Sequence, residues 1–249
     1  MTRVDQDKGA PLLDEMFEAW NGCTRCGLHK TRKNIVFGEG NWRADVLLVG
    51  EGPAEDEDKV GLPFIGDSGK ILDIFLEASC LSREKDLFIT NVVSCRPFIV
   101  VKTPDGKTKK ENRVPNSEER AACWPRLQEI IYKVDPLIIV TMGKTPTTQV
   151  LMKKGLTMDA VRGRVQTVSY QGVYTTIRYP VLPMFHPAHL LRNQNKEYGG
   201  PWQKTSSDFL LLTSILDKLR GEYYGINPPD RESHIEAFHE RYSQRNHAG

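Results

Sequence analysis

Polar side chains stand at the ends of four short apolar runs. Glu51, Gly52 and Pro53 follow "DVLLVG", Asn91 lies in "LFITNVV", Gly143 and Lys144 close "LIIVTMG", and His186 follows "YPVLPMF". A carboxylate can position water, a side-chain amide both donates and accepts, and a histidine can donate to a developing negative charge. The first of these ends opens "GEGPAEDEDKVGLPFIGDSGK", with carboxylates at Glu51, Glu55, Asp56, Glu57 and Asp58. The stretch lacks the third glycine of a dinucleotide fingerprint, and its acids and Pro53 oppose a pyrophosphate. "GDSGK" resembles the end of a P-loop, but Phe64 stands where the first glycine belongs. Gly52 leaves room for a flat ligand against the backbone. Phe64, set between glycines and after Pro63, could stack on a nucleobase; the alternative is a core phenylalanine. Asn91 could read a base edge or bond a neighbouring loop. His186 could be catalytic or a satisfied structural histidine. "HPAH" makes a poor metal pair, because Pro187 follows His186 directly and no carboxylate is near.

The five cysteines form a second constellation. Cys23 and Cys26 make a CxxC, and with Cys95 and Cys123 the pattern reads C-x2-C-x68-C-x27-C. Four thiolates can hold zinc or an iron–sulfur cluster. The spacing alone leaves both open, with unrelated free thiols as a third reading. Cys80 ends a helical apolar pattern and reads as a small core residue. An odd number of cysteines argues against a disulfide framework.

These residues need elements to position them. The four apolar runs (45–50, 87–93, 137–143 and 179–185) read as buried parallel strands, and amphipathic segments separate them. Residues 67–79 carry apolar side chains at helical spacing. Residues 116–134 open with Asn116 and Glu119 as in a capping box, and Pro125 is expected to bend or delay that helix. A small hairpin is expected over 165–178, and a closing helix over 206–221 with Gly221 as its stop. The alternation implies an α/β fold, a three-layer α/β/α sandwich around a central, mainly parallel four-stranded sheet. Ligands of such sheets bind beyond the carboxyl ends of the strands, where the polar residues lie. The chain has 249 residues, 39% hydrophobic and 27% charged, enough for one substantial core. Residues 20–221 are read as the domain, 1–19 as an extension and 222–249 as a polar tail. A net charge of +2 says little about partners. No apolar run reaches the roughly 18 residues of a membrane helix, and the N-terminus lacks the apolar core of a signal peptide. A cytoplasmic location away from membranes is expected.

"VFGEGNWRADVLLVGEGPAEDEDKVGLPFIGDSGKILD", "ITNVVSCRP" and "PMFHPAHLLRN" resemble the family-four uracil-DNA glycosylases, the iron–sulfur branch of that superfamily. The resemblance covers about residues 20–220, with the motifs in the family's order. It implies a [4Fe-4S] cluster on Cys23, Cys26, Cys95 and Cys123, structural in role. It implies hydrolysis of the bond between uracil and deoxyribose in DNA, the target base being flipped out of the stack. On that reading Glu51, Gly52 and Pro53 line the uracil pocket, Phe64 stacks on the base, and Asn91 pairs with its polar edge. Neutral His186 stabilises the departing base, and Glu51 or Glu57 positions water. Leu190, Leu191 and Arg192 fill the vacated stack or grip flanking phosphates. A monomer acting on uracil-containing DNA is expected.

The sequence departs from the family pattern in three places. Ala54 stands where glycine is frequent, the segment "IVVKTPDGKTKKENRV" lengthens the Cys95–Cys123 interval, and the tail is extra. The first is a small change, and neither the insert nor the tail is expected to touch the pocket. The basic loop with which a related branch traps DNA covalently is not visible before His186, so turnover is expected. The insert reads as a β-hairpin turning at "TPDG". Its Lys107, Lys109 and Lys110 are expected on the DNA backbone, or simply solvated. A non-catalytic uracil- or DNA-binding relative and a redox protein remain as alternative functions.

Overall fold

The computed structural model describes residues 9–171, 176–193 and 199–224. Most of the tail and the first eight residues of the extension lie outside the described residues. In chain order the elements are α1 (Gly9–Asn21), β1 (Glu39–Gly40), β2 (Val46–Gly50), α2 (Glu55–Val60), α3 (Asp67–Ala78), β3 (Leu87–Asn91), β4 (Phe98–Lys102) and β5 (Thr108–Asn112). Then follow α4 (Ser117–Val134), β6 (Ile138–Met142), α5 (Lys144–Val150), α6 (Met158–Val161), β7 (Gln166–Gln171), β8 (Thr176–Met184), α7 (Pro187–Arg192) and α8 (Pro201–Tyr224).

Every residue of β2, β3 and β6 is buried, so these strands read as unbroken apolar runs instead of alternating ones. Alternate residues serve opposite faces. Leu47, Val49, Phe88, Ile139 and Val181 pack with Leu127, Ile130, Ile131 and Val134 of α4. Leu48, Ile89, Val140 and Leu182 pack with Leu72 and Phe75 of α3, Leu190 of α7, and Phe209 and Leu212 of α8. Helices therefore cover both faces of a mainly parallel sheet, in three layers. Met16 of α1 is buried in the α4-side core, so that helix runs across residue 20 and packs with the domain.

The sheet has six strands in the order β1-β3-β2-β6-β8-β7, not four. Both additions are antiparallel edge strands. β1 is two residues long, too short to leave a pattern. The return arm of the expected hairpin continues into "YPVLPMF" as the nine-residue β8, which attaches β7 to the sheet.

Local signals account for some helix boundaries and not others. Asn116 accepts the Glu119 N–H, and Glu119 accepts the Asn116 N–H, each at 2.8 Å. Pro125 does not delay α4, which begins at Ser117 and runs through it. Gly221 does not end α8, which continues to Tyr224; one helical glycine costs only about 1 kcal/mol. Cys80 is exposed, not core. It follows the end of α3 with φ 53°, a left-handed exit that turns its side chain away from the apolar stripe.

Candidate active site and cysteine cavity

The carboxyl ends of β2, β3, β6 and β8 open into one cleft with about 1970 Å³ of space out to its mouth. Glu51, Gly52, Pro53, Glu57, Phe64, Asn91 and His186, all singled out in the sequence, line it together. Arg192 stands at the same cleft, as do Asn112, Arg113 and Val114 from the base of the insert. The insert therefore touches the cleft, contrary to expectation, because β5 runs back along its wall.

Close approach at this cleft depends on Gly50. A Cβ there would lie 2.3 Å from Asn91 Oδ1 and 2.6 Å from Phe64 Cε2. Gly52, the glycine chosen from sequence, leaves room chiefly for its neighbour: a Cβ would meet Val93 Cγ2 at 2.8 Å. Asn91 is 2% exposed, and its Nδ2 has no hydrogen-bond partner. An orphaned buried donor is costly and uncommon in a folded protein. Here it stands at a ligand cleft. Phe64 is buried with φ 53°, a region a bulky residue rarely adopts. Its N–H donates to Glu57 Oε1 at 2.6 Å, and Arg83 Nη2 donates to its carbonyl at 2.7 Å. A Cβ at Gly69 would fall 1.7 Å from that carbonyl, so glycine there admits the turn.

His186 is partly buried beside Phe64, with ring centroids 5.7 Å apart and planes 26° from parallel. Its Nδ1 accepts the Ala188 N–H at 3.1 Å. That bond fixes the neutral tautomer with hydrogen on Nε2. Burial, with a smaller contribution from the Arg192 charge, pulls its pKa down to about 4. The ring is therefore a neutral donor at neutral pH.

The acidic stretch, read as a loop, is largely the first turn of α2, where carboxylates favour the positive helix end. Asp58 Oδ1 accepts the Lys33 N–H at 2.9 Å. Glu55 and Asp56 share Lys59 on the surface. Glu57 is buried, and its two oxygens accept the N–H groups of Ala54 and Phe64. Burial raises its pKa, and those two bonds oppose the rise. Both its oxygens are thus committed to holding the turn. Glu51 Oε2 accepts the Thr145 hydroxyl at 2.5 Å, which leaves it the other oxygen. Thr145 carries no signal in the sequence alone, because its contact spans 94 residues.

The residues expected at DNA divide by burial. Leu190 is fully buried among α3 and α8 side chains and cannot enter a base stack. Its position on the inner face of α7 decides this. Leu191 and Arg192 are exposed. The insert forms the expected hairpin, with β4 paired antiparallel to β5. Its pairing puts Phe98, Val100 and Lys102 on one face with Asn112, Lys110 and Thr108. Lys110 and Lys102 thus share a face with Asn112, and Lys110 Nζ lies 4.6 Å from the centroid of the Phe98 ring, while Lys109 is on the other face and pairs with Glu111 at 3.6 Å. Lys107 pairs with Asp105 in the turn at 3.1 Å. At the base, Arg96 donates to Asn112 Oδ1 at 2.7 Å and pairs with Glu55 at 3.2 Å, joining the hairpin to α2.

Cys23, Cys26, Cys95 and Cys123 line a second, largely apolar cavity with about 410 Å³ of space. Among the described residues, no three His, Cys, Asp or Glu form a group able to hold a single metal ion. Burial pushes the Cys95 thiol up to about 11 and also raises Cys26. Arg32 Nη1 lies 3.6 Å from Cys95 Sγ, and Arg126 Nε lies 3.4 Å from Cys123 Sγ. Guanidinium donors aimed at sulfur suit thiolate ligands.

The mainly parallel sheet thus carries an orphaned amide and a neutral histidine at its carboxyl edge. The uracil DNA glycosylase superfamily model matches residues 37–210. The type-4 uracil-DNA glycosylase of Thermotoga maritima is 38% identical, over 75% of this chain and 86% of its own length. That of Saccharolobus solfataricus is also 38% identical, over 73% and 78%. The chain belongs to the uracil DNA glycosylase superfamily and, within it, to the type-4 family. A solved structure of Pedobacter heparinus SMUG2 aligns over 69% of this chain and 73% of its own at 15% identity, with a TM-score of 0.39.

Proposed function

We propose that this chain hydrolyses the N-glycosidic bond of uracil in DNA and leaves an abasic site. The observation that carries this reading is the buried, unpartnered Asn91 Nδ2 beside a histidine held neutral with its Nε2–H free to donate. A flipped uracil offers carbonyl oxygens to both donors, and Phe64 supplies a face for its ring. As the C1′–N1 bond breaks, its electron pair moves onto the base, and His186 stabilises that charge. Stabilisation of this kind in a dry site is often the largest catalytic contribution. Glu51, oriented by Thr145, positions the water whose oxygen bonds to C1′ of the cationic sugar, and the proton this water sheds neutralises the departed uracil anion. Glu57 serves this geometry by holding the turn instead of contacting water. Cytosine would place an amino group where uracil has an acceptor, so Asn91 disfavours it.

The cysteine cavity supports a [4Fe-4S] cluster on Cys23, Cys26, Cys95 and Cys123. The apolar walls, the two guanidinium donors and the resemblance favour it. When bound, the cluster would cross-link the Cys23–Cys26 loop that follows α1, the Cys95 segment and α4, without taking part in a step of hydrolysis. Leu191 and Arg192 remain the candidates beside the vacated stack. Lys110, with Lys102, is the best placed of the insert's lysines for the DNA backbone. The protein is proposed to act as a monomer in the cytoplasm; no described helix is long and apolar enough to cross a membrane.

The test is incubation with oligonucleotides carrying U·G, U·A or single-stranded uracil, followed by alkaline cleavage. Strand scission only at uracil is expected. Binding without scission would instead favour a non-catalytic relative.

A further inference from the structure

Arg126 is 1% exposed, and no step of the proposed hydrolysis uses it. It lies on α4, three residues after Cys123. Its Nη1 donates to the Phe37 carbonyl at 3.2 Å and to Thr90 Oγ1 at 3.0 Å. Its Nη2 donates to the Asn91 carbonyl and stands 3.5 Å from that of Val92. The fifth N–H, on Nε, points at Cys123 Sγ. The hydroxyl of Thr90 in turn donates to Phe37 O at 2.7 Å. β3 ends at Asn91, so the chain leaves the sheet with buried carbonyls that need donors. A planar guanidinium meets several of them in a fixed geometry, which lysine cannot copy.

A buried cation also needs a counter-charge. Every oxygen that Arg126 touches is neutral, a carbonyl or a hydroxyl. Cys123 Sγ is the one partner in this set that can carry negative charge, and it would do so as a thiolate ligand of the proposed cluster. The same side chain therefore meets the cysteine site at one end and the backbone of the base-reading residue at the other.

We infer that Arg126 is a positioning residue that couples the cysteine site to the base pocket. The thiolate at Cys123 holds its charge, and its fork holds the strand end that aims Asn91. Filling the cysteine site thereby tunes uracil recognition as well as stability. The inference rests on the glycosylase reading above.

The test measures binding without turnover. One duplex carries a hydrolysis-resistant, 2′-fluorinated uracil nucleotide, and its match carries thymine. The ratio of the two dissociation constants is compared among wild type, Arg126→Met, Arg126→Lys, Cys123→Ser and the double variant Arg126→Met/Cys123→Ser. Asn91→Ala sets the floor, and iron and sulfide per chain are measured in each. Loss of about tenfold or more of the preference is expected for Arg126→Met, as for a lost buried hydrogen-bond network. Cys123→Ser, which does not touch the pocket, should lose a similar factor, and the double variant no more than either single. A merely structural Arg126 would lower thermal stability and leave the ratio unchanged. Wild-type preference in iron-loaded Arg126→Met, or additive losses in the double variant, would overturn the coupling. If Arg126→Met does not fold, iron-loaded Arg126→Lys decides: a wild-type ratio there overturns it too. A wild type with no preference for uracil would instead sink the glycosylase reading itself.

Discussion

The base pocket and the insert hairpin are both rich in polar side chains, and they hold them in opposite ways. Pocket groups are buried or half-buried, fixed by short contacts, and in the case of Asn91 Nδ2 left without a partner. Hairpin lysines are exposed, and two of them already have acidic neighbours. Exposed pairs of that kind contribute little, typically under about 1 kcal/mol. Large, localised effects are expected where desolvated groups wait for a ligand, and small, graded, salt-dependent effects where charges stay in water.

The sharpest break in this comparison comes from the pocket. Asn91→Ala and His186→Ala should each slow single-turnover excision by roughly a hundredfold to a thousandfold while DNA binding persists. Near-wild-type rates in both would remove these residues from the chemistry.

The cysteines come next, because they test whether burial alone predicts the size of an effect. Cys95→Ala should lose iron and lower the melting temperature, whereas Cys80→Ala, exposed and away from the cavity, should keep both. Equal iron content in the two variants, measured with acid-labile sulfide, would separate Cys95 from the cluster.

The third prediction concerns pH. His186 has its pKa lowered to about 4, so between the ordinary value of 6.5 and about 4 the unfolded chain binds a proton that the folded ring does not. Its contribution to stability is thus complete above pH 6.5 and falls as pH drops toward 4. Asp208 runs the other way: burial raises its pKa to about 6 despite Arg162, so its contribution is present at low pH and fades as pH rises toward 6. The two overlap, so His186 is read from the difference between wild type and His186→Gln in denaturant titrations. Excision should show no His186 inflection near pH 6.5; a clear one that vanishes in the variant would place the ring's pKa near its ordinary value.

The smallest effect belongs to the hairpin. Neutralising Lys107, Lys109 and Lys110 together should flatten the slope of log affinity against log salt by about two units if all three touch phosphate, at roughly 0.7–0.9 per contact. The strand register sharpens this expectation, since Lys110 shares a face with Asn112, a residue of the cleft wall, and Lys109 does not. Lys110 alone should carry more of the change than Lys109 alone. Excision at saturating DNA should stay near wild type, and an unchanged slope in the triple variant would leave the hairpin without a part in DNA binding.

The sequence by itself determined the strands, because a strand buried on both faces must be almost entirely apolar, as "VLLVG" and "IIVTM" are. It determined the turn of the insert, because "TPDG" is local turn chemistry and the paired strands begin on either side of it. It also determined which polar residues end the strands, and those gather at one cleft because parallel strands share one carboxyl edge. Contacts between distant segments were decided only by the tertiary structure. Leu190 and Leu191 are adjacent and identical in type, yet one is core and the other exposed, because only the packing of α7 on α3 and α8 gives that short helix an inner face. Glu51 and Glu57 are alike in sequence, and their separation rests on Thr145 in one case and the Phe64 N–H in the other. Gly50 owes its necessity to Asn91 and Phe64 closing over it. Arg126 in a helical stretch reads as a surface residue until α4 lies against the end of β3. Side-chain burial and hydrogen-bond partnership are pairwise properties of segments brought together by folding, and no local pattern encodes them.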